Sequence, residues 1–231
     1  MKNLWCGDWA VGDARGMSAT EASDSGSGSE PSDALTGDAA EELPARTFGW
    51  SDMFLSPEED PRFGDPPELA GERATLVDYL HHYRQTLELK CTGLDAEAMA
   101  RRSVPPSNLS LLGLVRHMTD VERYWFREVM AGEDAPRHYP RDPGHDEFDG
   151  AIGDPEVVRQ AWDNWRAEIA LAEKFVAEAP DLDLRGSYDQ GPENRGTIEL
   201  REVLIHMIEE YARHCGHADF LRERIDGRVG Q

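Results

Sequence analysis

Glu210 and His214 stand four residues apart in the stretch TIELREVLIHMIEEYARHCGHADFLRERI (197–225). Within it Val203, Met207, Glu210, His214, Ala218, Leu221 and Ile225 recur at steps of three and four. That is helical spacing, and it sets an acid and an imidazole on a seam otherwise made of apolar side chains. A carboxylate buried without a partner is costly. A divalent cation would neutralise it, and imidazole nitrogen and carboxylate oxygen both suit zinc and neighbouring first-row metals at about 2.0–2.2 Å. His117, in LVRHMTDVERYWF, lies between Leu114 and Val121 and borders a second apolar face. In a bundle, that helix and the last one could face each other and bring His117, Glu210 and His214 to one point. Three protein ligands leave a coordination position open, the pattern of catalytic rather than structural zinc. Zinc also favours the deprotonated form of a thiol, which makes a nucleophile available at neutral pH.

Spacing does not choose among the neighbours. His206, Glu210 and His214 form an H-x-x-x-E-x-x-x-H series, and its ends are about 12 Å apart along a helix axis. The ligand pair is therefore 206/210 or 210/214, with the other imidazole beside the site. His217, three beyond His214, could line the same cavity, and Asp120, three beyond His117, could orient an imidazole. A solvated helical ion pair, or histidines satisfied by backbone, explains the same spacing without a metal. His81, His82, His138 and His145 carry no such pattern, and Glu122 and Arg123 read as surface or ion-pair residues.

The elements that must position these groups are helices. Apolar stripes run through 68–94 (Leu76, Leu80, Tyr83, Leu87, Cys91, Leu94) and through 107–131 (Leu111, Leu114, Val115, Met118, Val121, Trp125, Val129). A third begins at Asp154-Pro155, a favourable cap and first turn, and carries Val158, Trp162, Trp165, Ile169, Ala172 and Val176. The fourth is 197–225, closed by Gly227. No segment reads as a sheet strand. The expected fold is all-α, a four-helix bundle over residues 47–231, with 47–70 as an extended arm that Pro57, Pro61, Pro66 and Pro67 keep from becoming one helix. Residues 1–46, rich in Ser, Gly, Ala and acids, read as a disordered acidic leader that buries too little apolar surface to fold.

The net charge of −22 argues against nucleic acid and anionic membranes as partners. No apolar run approaches the roughly 20 residues of a membrane span. Three scattered cysteines, Cys6, Cys91 and Cys215, point to reduced thiols, and the start MKNLWCGDWA lacks the apolar core of a secretory leader. A cytoplasmic protein is expected.

The runs RRSVPPSNLSLLGLVRHMTDVERYWFRE (101–128) and LIHMIEEYARHCGHADFLRERIDG (204–227) resemble the DUF664 branch of the DinB superfamily, and the likeness extends over roughly 50–231. The resemblance implies a four-helix bundle that binds a divalent metal through one His of helix two and an i, i+4 pair of helix four. Many relatives have His-x-x-x-His just before Arg-Gly-Gln. Here Cys215-Gly216-His217 fills that place, which puts His214 second and Glu210 first in the pair. Glu at the first position is similar to the mycothiol-dependent maleylpyruvate isomerase. By this resemblance the ligands are His117, Glu210 and His214, with His206, His217 and Asp120 around them. The metal is expected to be zinc, with nickel, manganese or iron as other options for the site. The implied activity is an S-transferase that joins a low-molecular-weight thiol, mycothiol, to electrophiles in detoxification, in a chain able to form a homodimer. A non-catalytic ligand-binding stress module on the same bundle and a metal-dependent hydrolase are the competing expectations.

Overall fold

The computed structural model describes residues 43–49, 53–62, 71–139, 147–191 and 194–230. The expected leader falls outside these residues as far as Glu42, as do Pro66, Pro67 and His145. The compact unit that contains everything below runs from Leu43 to Gln231.

Four long helices appear where the apolar stripes place them, with boundaries set by caps. They are α1 (Glu72–Cys91), α3 (Leu111–Glu122), α4 (Pro155–Glu178) and α5 (Leu200–Asp226); a short α2 (Ala96–Ala100), not expected from the stripes, follows α1. Ser110 caps α3 by accepting from the Gly113 N–H, and Asp154 caps α4 by accepting from the Glu156 N–H, with Pro155 in the first turn. Glu199 and Glu202 form a reciprocal capping box on α5, and Gly227, at φ 77°, closes it in the left-handed conformation.

Two expectations are corrected. Helix two is not one α-helix over 107–131: residues 107–109 precede the Ser110 cap, and Arg123–Met130 is a π-helical continuation of α3. The wider turn shows in the Ala131 N–H bonding to the Phe126 carbonyl, five residues back, while Trp125 and Val129 stay buried. Strands are also present. β2 (Arg185–Asp189) and β3 (Arg195–Glu199) pair antiparallel, with Arg185 opposite Glu199 and Ser187 opposite Thr197. That pairing takes residues 197–199 out of the expected fourth helix. Gly186 lets β2 lie directly on the π-helical segment, since a Cβ there would meet the Val129 carbonyl at 2.4 Å. β1 (Thr47–Phe48) and β4 (Arg228–Val229) pair in parallel and bring the segment before α1 against the end of α5. Phe54 is fully buried there, with the Arg228 guanidinium 3.8 Å and the Lys90 ammonium 4.6 Å from its ring centre.

α1 packs mainly on α5, α3 packs on α4, and α3 also faces α5. The core between them holds Leu87, Leu114, Met118, Trp165, Val203 and Met207. One polar chain crosses it. Arg84 of α1 donates twice to Glu122 of α3, at 2.8 and 2.7 Å. The Tyr211 hydroxyl of α5 donates to the same carboxylate at 2.8 Å and accepts from Trp165 Nε1 of α4 at 3.0 Å. Glu122, expected at the surface or in an ion pair, is fully buried in an ion pair, and the chain of bonds through it and Tyr211 joins all four long helices. Burial and the adjacent Glu122 hold the Tyr211 phenol well above its usual range, so it stays a donor.

Candidate metal centre

Because α3 faces α5, His117 arrives opposite the 210/214 pair. One ligand atom from each of His117, Glu210 and His214 can be chosen so that all three lie within 4.8 Å of one another. His214 Nε2 is 3.4 Å from Glu210 Oε2. Ligands about 2.0–2.2 Å from a tetrahedral ion are about 3.3–3.6 Å apart, so this edge already has the spacing a zinc-sized cation requires. The imidazole centroids of His117 and His214 are 4.7 Å apart. Two nitrogens and one carboxylate oxygen fit a first-row divalent metal by type, and the His214–Glu210 edge fits it by spacing.

The other sequence candidates take different places. His206 Nε2 is 3.6 Å from Glu210 Oε1, and its ring lies edge-on to Trp125, with centroids 4.8 Å apart. Glu210 thus stands between two imidazoles, one for each oxygen. His217 Nδ1 is 3.3 Å from His214 Nδ1, so the nitrogen of His214 that faces away from Glu210 is engaged as well. Asp120 does not orient an imidazole of the site. Its carboxylate accepts the backbone N–H groups of His138 and Tyr139, at 2.8 and 3.1 Å, and pins that loop to α3. Arg123 does form an ion pair, with the buried Glu168 of α4 at 2.5 Å. Cys215 points away from the site and donates to the Tyr83 carbonyl.

Glu147 was missed. It lies in the connection after the π-helical segment, where no periodicity marks it, yet its Oε1 sits 3.3 Å from His117 Nδ1 and it is almost fully buried. Phe148 stacks on the other side of the site's wall, 5.8 Å from the His117 ring at an interplanar angle of 23°. The only hint in the sequence is an acid followed by an aromatic in an otherwise open loop.

Electrostatics favour the metal-binding protonation states. Burial lowers the His117 pKa more than the hydrogen bond to Glu147 raises it, so the imidazole is neutral at neutral pH. Burial alone would raise Glu210, but the hydrogen bond from His214 and the nearby imidazoles outweigh it and leave the carboxyl below its ordinary range. Burial also lowers His206 and His217. These directions give a testable pH dependence. Between their folded and unfolded pKa values these histidines bind more protons in the unfolded chain, so unfolding free energy rises with pH across that interval. The stability is complete above about pH 6.5 and is lost as pH falls toward the folded values. The melting temperature of chelator-treated protein should therefore drop from pH 7.5 to pH 5.5, and a flat profile would contradict the burial of these rings.

The sequence profile of the mycothiol-S-transferase family matches residues 75–227. The chain belongs to the mycothiol-S-transferase family. The matched span begins inside α1, ends at the cap of α5 and contains His117, Glu147, Glu210 and His214. The expected DinB-type resemblance holds at this level. Among solved structures, that of a conserved protein from Enterococcus faecalis is similar, at 16% identity over 67% of this chain and 96% of that one, with a TM-score of 0.47. No curated protein matches the chain. No helix among the described residues of this mycothiol-S-transferase family member is long and apolar enough to cross a membrane.

Proposed function

We propose that the protein is a metal-dependent S-transferase that conjugates mycothiol, or a related low-molecular-weight thiol, to electrophiles. The observation that carries this reading is the meeting of His117, Glu210 and His214 within 4.8 Å, in a chain of the mycothiol-S-transferase family. These three residues would hold the ion, zinc by preference, with nickel, manganese or iron also compatible with the donor set. A divalent ion there acts as a Lewis acid that favours thiolate over thiol at neutral pH.

The chain's own described thiols support an external nucleophile. Cys91 and Cys215 are both buried. Burial pushes the Cys215 thiol up to about 12 and the Cys91 thiol higher still, which makes them inert at neutral pH. The sulfur that reacts is then brought by the co-substrate. In the conjugation a sulfur–carbon bond forms, the bond from carbon to its leaving group breaks, and the thiol proton leaves to solvent. The residues do the positioning: α5 fixes Glu210 and His214 one turn apart, and α3 supplies His117 from the facing side.

The test is turnover of haloalkane and haloaromatic electrophiles with and without mycothiol. Product should form only with the thiol, cease on chelation and return when Zn²⁺ is restored. Chelation should also lower the melting temperature by about 5–10 °C, since an ion present at 100 times its Kd adds about 2.7 kcal/mol to native stability. Turnover without any thiol would favour a hydrolase. Metal-free protein that binds small molecules without turnover would favour a binding module.

A further inference from the structure

An ion held by two imidazoles and one carboxylate depends on where those rings point. Each ring nitrogen that does not face the ion needs its own partner. For His214 the partner is His217, on the same helix. For His117 it is Glu147, thirty residues away along the chain and delivered by a loop. Both side chains of that pair are about 97% buried. A carboxylate in such a place is expensive unless it is paired, and the His117 ring is a partner it meets in the described structure. Glu147 does not join the group of three ligand atoms itself.

The loop around Glu147 is built to hold it. The Phe148 ring fills the space over Gly113, where a Cβ would meet Phe148 Cδ1 at 2.6 Å. Gly150 lies against the Arg116 guanidinium, where a Cβ would meet Nη2 at 2.5 Å. Arg102 bonds Asp149 at 2.9 Å, and the Ala151 N–H closes a turn on the Phe148 carbonyl at 3.2 Å. Residues 147–151 are thereby fastened to α3 at Gly113 and Arg116, in the turn before His117.

We propose that Glu147 is a positioning residue for the metal centre: by accepting from Nδ1–H of His117 it fixes the tautomer whose Nε2 is free to ligate, and it makes the 147–151 segment part of the metal-binding unit. This rests on the metal reading above. The consequence is a segment and an ion that support each other, although none of residues 147–151 belongs to the three-ligand group.

The experiment uses the full chain with uniformly ¹⁵N-labelled histidine, as wild type, Glu147→Gln and Glu147→Ala. Long-range ¹H–¹⁵N spectra of metal-free protein should show His117 protonated at Nδ1 in the wild type and in Glu147→Gln, whose carbonyl still accepts. Glu147→Ala should show a mixture of tautomers. Zn²⁺ affinity, measured by competition with a chromophoric chelator, should fall about 10–100-fold in Glu147→Ala and by a smaller factor in Glu147→Gln. A circular-dichroism melt of each metal-free variant checks folding. If Glu147→Ala does not fold, Glu147→Gln decides alone, through its loss of affinity at an unchanged tautomer. Wild type that binds no Zn²⁺ defeats the metal reading itself. Wild type that binds Zn²⁺, with folded variants matching it within twofold, overturns the role of Glu147 and leaves that reading intact.

Discussion

Purified His117→Ala and His214→Ala proteins should each carry almost no metal, whereas the wild type should carry about one ion per chain, as the proposed three-ligand site requires. Elemental analysis after dialysis against trace zinc gives the answer directly. The expected loss is nearly complete because each variant leaves two protein ligands, one of them a carboxylate that His206 already contacts at 3.6 Å in both variants and His214 at 3.4 Å in His117→Ala. His206→Ala is the informative companion. It removes the imidazole beside Glu210 Oε1 without touching the three-atom group, so it should retain the ion. If His206→Ala loses the metal and His214→Ala keeps it, the ligand pair is 206/210 and the assignment is wrong. Full metal content in both His117→Ala and His214→Ala would end the proposed chemistry.

The second large effect is on stability. Glu122→Ala takes from the buried Arg84 its two short hydrogen bonds, leaving it the half-exposed Glu173 carboxylate at 3.6 Å, and it strips the Tyr211 hydroxyl of its acceptor. Removing one partner of a buried ion pair costs about 3–5 kcal/mol. For a domain of this size that is a fall of about 6–20 °C in melting temperature. Replacing the ion pair and the phenol by apolar groups, as Arg84→Met with Glu122→Leu and Tyr211→Phe, should recover part of the loss by removing the poorly paired charge, less about 1–3 kcal/mol for the Trp165 Nε1–H that loses its acceptor. Thermal melts of the single and triple variants decide between this and simple loss of packing, for which the triple variant would be the least stable. The same network anchors Tyr211 next to Glu210 and Glu122 five residues after His117, so the triple variant also shows how far the proposed metal site depends on it.

Much of the bundle was legible because its information is local. Steps of three and four place Leu76, Leu80 and Leu87, or Leu111, Leu114 and Met118, on one side of a helix whatever it later packs against. Caps are equally local, as Ser110 and Asp154 show. The strand pair was not legible: RGSYD and RGTIE are short and carry only one large apolar residue each, and they become strands by pairing with one another beside Val129. Nor did the apolar pattern around Trp125 announce a π-helical turn, since both helix types keep Trp125 and Val129 inside.

At the site, the sequence by itself determined an acid and an imidazole one helical turn apart, and a further imidazole on another apolar face. It left 206/210 and 210/214 equivalent, and only the resemblance to a family ranked them. The tertiary structure decided which atoms meet: His117 approaches Glu210 and His214, Asp120 turns to the loop, Glu122 goes to Arg84, and Glu147 comes from a distant connection to His117. The reason is physical. Backbone geometry fixes the relation between residues a few positions apart, whereas contacts between residues 30, 38 or 89 positions apart exist only once the helices have packed.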